Sequence, residues 1–407
     1  MSDNIKNIRE IYALLLNRVD LQYKRFLYNR IDFDQRLIGI IGPRGVGKTT
    51  LILQYLKENH ADNPKAIYLL ADNVFFEKND LFNFVRDFYL KQGGRLVCID
   101  EIHRYENWNQ ELKNIYDSFP DMKIIFSGSS SVDLVQGKHD LSRRGVVYNL
   151  PGFSFREYLL FETGQDLEVF SLDDIFSEHE KINMKLAKIE NVLMHFNNYL
   201  SVGYYPFYRE TKEVGLYYQK INNVIDKIIY EDITSFYKLK TQNLVVFKQM
   251  LVFLATISPG EVNVHKLANS LGKNYETVAN YLEILNEASL VRFLGISKSG
   301  YALIRTAKKV YLDNTNLYGA INFNLGKEIQ IGTMRENFML NQLQNAGLNP
   351  TFSNVGDMKV SGVILEIGGK NKKIDQIKNI KSSFLVVDDI LVGNEKQLPL
   401  YMFGFLY

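Results

Sequence analysis

Eight consecutive residues, Gly42-Pro43-Arg44-Gly45-Val46-Gly47-Lys48-Thr49, stand in the order G-x-x-x-x-G-K-[ST]. Such a loop has one evident use. Its glycines let successive backbone N–H groups turn inward around phosphate oxygens, the Lys48 ammonium adds a point charge, and the Thr49 hydroxyl is a hard ligand for Mg²⁺. Residues 42 to 49, with Thr50, therefore form the candidate set for a nucleoside triphosphate. A chain of this length meets the pattern by chance about one time in seventy. Phosphate binding alone does not imply cleavage, which needs an acid. Asp100 and Glu101 are adjacent carboxylates with separable tasks: Asp100 to hold the Mg²⁺ shell together with Thr49, Glu101 to orient and polarise the attacking water. Two acids after an apolar run are also a common solvated strand end, and they gain meaning only beside Lys48.

These groups must be brought together by the elements around them. Leu37 to Ile41 and Leu96 to Ile99 are short apolar runs rich in β-branched residues, the pattern of buried parallel strands. In a parallel sheet the strand C-termini gather at one rim, where the loop and the acid pair would meet. Residues 50 to 57 have helix-compatible apolar spacing, so the loop should cap a helix N-terminus. Cys98, inside the second run, reads as a small buried hydrophobe. A third run, Lys123 to Phe126, leads into Ser127-Gly128-Ser129-Ser130-Ser131; a hydroxyl there could sense the γ-phosphate, and a plain serine-rich turn fits as well. Leu141-Ser142-Arg143-Arg144-Gly145 ends a short helical segment before the strand Val146 to Tyr148. An arginine there could reach the nucleotide of a neighbouring subunit, or pair on the surface.

GPRGVGKTT, LVCIDEIH, IIFSGSSS and LPGFSFREYL (Leu150 to Leu159), in that order, resemble the AAA+ family ATPases of bacteria and archaea whose phosphate-loop domain is followed by a domain of unknown function. The resemblance implies ATP and Mg²⁺ as ligands. It implies an α/β fold with a parallel AAA+/ASCE-type sheet in which the Ser127 strand lies between the phosphate-loop strand and the Asp100 strand. It further implies that Ser127 or Ser129 takes the sensor position and that Arg143 or Arg144 takes that of the arginine finger. Tyr204-Tyr205-Pro206 is similar to a Gly-Tyr-Pro element of the family, with Arg209 a weak match to a second sensor.

The remainder divides by pattern. Residues 155 to 237 read as amphipathic helices, a plausible lid. Asn243–Ile257, Val264–Leu271 and Tyr275–Ala288 read as three helices, with Leu290–Leu294 and Tyr301–Leu312 as two strands about a Lys298-Ser299-Gly300 turn. Three helices and a hairpin make a winged helix-turn-helix. On DNA its third helix would offer Asn274, Tyr275, Thr277 and Asn280 to base edges, while Lys298, Arg305, Lys308 and Lys309 reach phosphates. Between Lys240 and Val310 nine Lys plus Arg stand against four Glu. That surplus suits nucleic acid moderately, whereas Glu276, Glu283 and Glu287 on the third helix suit protein docking.

From residue 313 the sequence reads as a helix opening at Arg335, a short strand at Thr351–Ser353, a longer one over Met358–Ile367, a helix over Lys373–Asn379 and a buried strand at Phe384–Val387. This order resembles the restriction-endonuclease-like fold that the family carries at its C-terminus. The resemblance implies Asp357 and Glu366 as metal-binding acids, with Glu336 on the preceding helix. The lysine expected two residues after Glu366 is replaced by Gly368, and only Lys370 or Lys372 could substitute, so a degenerate module kept for binding or packing is preferred to an active nuclease.

With 407 residues, 48 Lys plus Arg against 46 Asp plus Glu, 46% apolar residues and eight prolines, the chain is globular and multidomain rather than disordered or broadly polyanion-binding. One cysteine excludes an intramolecular disulfide framework and any cysteine-rich zinc site. No stretch is long and apolar enough for a bilayer, and the charged N-terminal decapeptide lacks a signal core, so a soluble cytoplasmic protein is expected. The expected divisions are 1–155 for the ATPase core, 156–237 for a lid, 238–312 for the winged helix and 313–407 for the nuclease-like domain. The expected activity is Mg²⁺-dependent ATP hydrolysis coupled to movement of the winged-helix part. The alternatives are a slow ATP-gated clamp on a protein partner and a DNA nuclease with an ATPase module. A homo-oligomer is a further expectation. Neither a kinase His-Arg-Asp set nor an Asn-Lys-x-Asp guanine reader is present; Asn371-Lys372-Lys373-Ile374-Asp375 has the wrong spacing.

Overall fold

The computed structural model describes residues 2–130, 143–211, 213–237, 239–296 and 307–407, with the backbone alone at 2–4, 261, 307 and 308. Ser131, Leu141, Ser142, Lys298 to Gly300 and Arg305, named above, lie outside the described residues, as does the Lys308 side chain. The chain forms two compact units, Met1–Pro151 with Glu231–Lys238, and Gly152–Tyr230 with Leu239–Tyr407.

In the first unit, β1 (Leu37–Ile41), β2 (Ala66–Leu70), β3 (Leu96–Asp100), β4 (Lys123–Gly128) and β5 (Val146–Asn149) form one parallel sheet in the order β2-β3-β4-β1-β5. The placement of β4 between β1 and β3 is the one the resemblance implies. Continuous apolar runs form these strands because helices cover both faces, so β1 and β3 are buried at every position. The helix Lys48–His60 buries Leu51, Ile52 and Leu56, each side chain adding roughly 1.5–3 kcal/mol. The helix Leu81–Gln92 is opened by Asp80, whose carboxylate accepts from the Asn83 N–H, and is ended by Gly93 in the left-handed region. Cys98 is fully buried, which pushes its thiol pKa up.

The second unit begins with helices Phe155–Thr163, Leu172–Ser177, His179–Leu186, Val192–Val202 and Val214–Lys227. Phe155, Phe196, Tyr199 and Phe338 pack edge to face or tilted at centroid distances of 4.9–6.0 Å. Asn316, fully buried, links this region internally: its Oδ1 accepts from the Tyr204 N–H and the Tyr217 hydroxyl, and its Nδ2 donates to the carbonyls of Tyr199 and Leu200. Next come helices Thr241–Thr256, Val264–Ser270 and Tyr275–Glu287 and the antiparallel pair β6 (Val291–Gly295) and β7 (Ala307–Leu312). Asn263 and Asn274 cap the second and third helices, and Gly272 (φ 61°) turns between them.

The C-terminal part carries the helix Ile331–Asn345 and a sheet of β8 (Thr351–Phe352), β9 (Met358–Val360), β10 (Val363–Gly368), β11 (Ser383–Val387) and β12 (Gln397–Pro399), ordered β12-β11-β10-β9-β8. Three expectations are corrected here. The helix begins at Ile331, a turn before Arg335. The single strand over Met358–Ile367 is two antiparallel strands, because Ser361 and Gly362 both take positive φ (48° and 85°) and fold the chain back. Residues 373–379 form turns and no helix: Ile377 and Ile380 bond back three residues, to Ile374 and Ile377.

Candidate nucleotide site

Lys48 is held by the loop it belongs to. Its buried ammonium donates to the carbonyls of Gly42 (2.9 Å) and Pro43 (3.0 Å). Burial lowers its pKa, opposed by the negative charge of Glu101, Asp100 and Asp232. Gly45 and Gly47 take φ of 85° and 96°, and a Cβ on Gly42 would fall 2.1 Å from the Leu150 carbonyl oxygen. Arg25, itself buried, clamps the outside of the loop by donating to the carbonyls of Val46 and Pro151. Val46 is fully buried and anchors the loop to the core. Thr50, the third residue of the helix Lys48–His60, is exposed.

The acid pair converges on the same point. Asp100, 1% exposed, ends β3 and accepts from three hydroxyls: Thr49 and Tyr68, both at 2.6 Å, and Ser127. Burial and the neighbouring Asp100 charge push the Tyr68 pKa far up, so Tyr68 remains a donor. Ser127, at the tip of β4, donates to Asp100 and accepts from the Glu101 N–H at 3.0 Å. Glu101 itself sits in the left-handed region at φ 53°, a strained place for a residue with a side chain, which turns its carboxylate away from the strand line. Ser129, the alternative serine, donates its N–H to His103 Nδ1 at 3.3 Å.

The arginine candidates separate. Arg143 is exposed just before β5, and Arg144 forms an ion pair with Asp117 at 2.9 Å. Arg44, within the loop, reaches Glu101 (3.5 Å), Glu231 (3.1 Å) and Asp232 (3.7 Å). Sequence reasoning missed Arg25, Tyr68, His103, Arg104, Glu231 and Asp232. His103 and Arg104 were legible as neighbours of the acid pair; the others carry no local signal.

Of the C-terminal acids, Glu336 and Asp357 are drawn together by Lys309 of β7, whose ammonium lies 2.7 and 3.0 Å from them. Tyr311 donates to Glu336 at 2.6 Å, and the Ile367 N–H donates to Asp357 at 2.8 Å. The largely buried Glu366 pairs with Lys372 at 2.6 Å, and burial raises its pKa. Lys309, expected to reach a phosphate backbone, is instead committed to two carboxylates, because β7 runs directly beside the helix that carries Glu336. Among the described residues no group of three or more His, Cys, Asp or Glu side chains is placed to hold a metal ion. Among the same residues no helix is long and apolar enough to cross a membrane.

Residues 34–159 match the family described as an AAA domain. They fold as an AAA+-type phosphate-loop sheet. Residues 193–328 match a domain of unknown function, DUF8612. An uncharacterized protein of Methanocaldococcus jannaschii is 27% identical over 314 residues, which cover 72% of this chain and 65% of that relative's length. Among solved structures, AMPPCP-bound DnaA from Aquifex aeolicus is 17% identical over 64% of this chain and 84% of its own, with a TM-score of 0.28. A replication initiator DnaA bound to AMPPCP and single-stranded DNA is 18% identical over 68% and 86%, with a TM-score of 0.26.

Proposed function

We propose that this chain is a Mg²⁺-dependent ATPase whose nucleotide state is relayed to a winged-helix part and a degenerate nuclease-like module. One observation carries the first half: the Thr49 hydroxyl, in the first turn of the helix Lys48–His60, and the Asp100 carboxylate, at the end of β3, meet at 2.6 Å beside Lys48. A hydroxyl and a carboxylate oxygen are the hard donors that suit Mg²⁺, which when bound would neutralise charge on the phosphate oxygens. The N–H groups of residues 45 to 49 would cradle the β-phosphate and Lys48 would leave its two carbonyls for the β- and γ-oxygens. Glu101 would hold the attacking water in line and accept its proton, and Ser127 would fix the backbone that aims it.

The second half rests on connectivity and element order. Glu231–Lys238 belongs to the first unit, yet covalently joins helix Val214–Lys227 to helix Thr241–Thr256 of the second. Three helices and an antiparallel pair match a winged helix, and the β8-to-β12 order behind helix Ile331–Asn345 suits the nuclease-like reading. Lys309 between Glu336 and Asp357 favours a packing role for that module over metal-dependent cleavage.

The core is tested by two variants. Lys48→Ala should weaken ATP binding at least about tenfold, whereas Glu101→Gln should bind ATP normally and lose about 10²–10⁴-fold in turnover. Normal hydrolysis by Glu101→Gln would remove Glu101 from the water-positioning role.

A further inference from the structure

Glu101 and a second carboxylate, Asp232, lie against the same three side chains. Arg44 is 3.5 Å from Glu101 and 3.7 Å from Asp232; His103 Nε2 is 3.6 and 3.7 Å away; Arg104 is 4.0 and 3.4 Å away. Asp232 closes the π-helical turn Ile228–Asp232 and its side chain is 3% exposed. A carboxylate is retained in such a place only where nearby positive charge offsets its lost hydration. Glu231, more exposed, adds contacts to Arg44 at 3.1 Å and to Arg104 at 2.5 Å, and these hold its pKa below the usual carboxylate range. Phe236, four residues on, stacks on the His103 ring at 5.8 Å, so the whole segment is seated on the site.

The imidazole fixes the direction of the arrangement. Because His103 Nδ1 accepts the Ser129 N–H, the ring proton of neutral His103 is on Nε2. That N–H faces the gap between Glu101 and Asp232, beyond hydrogen-bond reach of either, and has no hydrogen-bond partner among the described residues. Two guanidinium groups are thus balanced by three carboxylates, only one of which adjoins the catalytic strand.

We infer that Asp232 is a positioning residue for hydrolysis: with Glu231 it shares Arg44 and Arg104 with Glu101, so that the two guanidinium groups stand 3.5 and 4.0 Å from the Glu101 carboxylate instead of closing on it, and Glu101 keeps an oxygen for the attacking water. Without the Asp232 charge, only the more exposed Glu231 competes with Glu101 for the two guanidinium groups, which then pair more closely with Glu101 and weaken it as a base. Lys48 loses only the smallest of its three carboxylate influences and keeps its bonds to the Gly42 and Pro43 carbonyls, and Thr49 keeps its bond to Asp100, so nucleotide affinity changes little. The inference rests on Glu101 being the water-positioning group.

Steady-state ATP hydrolysis by the full chain is measured for the wild type, Asp232→Asn, Asp232→Glu and Glu101→Gln, with Trp108 fluorescence melts to check folding of the first unit. Asp232→Asn should lower kcat at least about tenfold with KM within about threefold, and Asp232→Glu, which keeps the charge, should recover most of it. Wild-type kcat in Asp232→Asn, or a loss in affinity that accounts for the whole effect, would overturn the inference. Should Asp232→Asn not fold, Asp232→Ser, smaller and equally uncharged, is read by the same criteria: an about tenfold lower kcat with KM within about threefold supports the inference and a wild-type kcat overturns it. Wild-type turnover by Glu101→Gln would instead refute the role given to Glu101, a separate failure visible in the same data set.

Discussion

Ser127 shows how much one hydroxyl can do at this site. It donates to Asp100 while accepting the Glu101 N–H, so a single side chain sets the spacing between the two acids. Its removal leaves a buried carboxylate short of a donor and a strained residue without its anchor. Hydrogen bonds to charged groups are worth about 1.5–3 kcal/mol. Ser127→Ala should therefore lower kcat about 10- to 100-fold while leaving ATP affinity nearly intact, read from single-turnover hydrolysis beside equilibrium binding of a fluorescent ATP analogue. Unchanged single-turnover rates would show that the hydroxyl has no part in the chemistry.

Among elements, β7 joins two modules that the sequence presents as separate. Lys309 ties that strand to Glu336 of helix Ile331–Asn345 and to Asp357 before β9. Lys309→Met would strand two partly buried carboxylates and should cost about 2–4 kcal/mol, measured by urea titration of the full chain. Burial alone would lower the Lys309 pKa, but Glu336 and Asp357 overcome it and the pKa is raised. A raised lysine contributes fully below its unfolded value of about 10.4 and loses that contribution only as pH rises through the folded one. The deficit of the variant should accordingly be flat between about pH 7 and 9.

The same elements show what the amino-acid order reveals. β1 is legible to the residue, and β3 to within its last residue, Asp100, because both faces of a parallel strand are buried and its apolar run is continuous. The glycine motif and the acid pair were legible for the same reason, each lying at such a strand's end. The β9–β10 hairpin was not, since Ser361-Gly362 is a short turn signal inside a stretch whose other residues, apart from Lys359 and Glu366, are apolar. Asp232 was invisible, as an acid in a helical stretch has no local pattern that says which distant arginines it will meet. Lys309 was misassigned because a basic residue on a hairpin reads as surface charge until its neighbours in space are known.

At the scale of the molecule, the DNA reading now has less charge behind it. With Lys309 engaged internally, fewer than nine basic groups of the 240–310 segment remain for phosphates, and the third helix keeps its glutamates. ATPase rate against protein concentration, with and without duplex DNA at two salt concentrations, measures what is left. Stimulation by DNA should appear at about 50 mM salt and fade by about 200 mM, as few-phosphate contacts do. A rate that ignores DNA at both would favour a protein partner, and a specific activity that climbs with concentration would favour Arg143 acting on a neighbouring copy.

The chain leaves its first unit at residue 151, returns for eight residues and departs again. A protease fragment or minimal domain ended at Pro151 would look complete by its sheet, yet it would hold two arginines beside Glu101 stripped of the acids that counter them, and a histidine face without its aromatic cover. Such a piece is a different electrostatic object from the parent protein, and its turnover says nothing reliable about the intact machine.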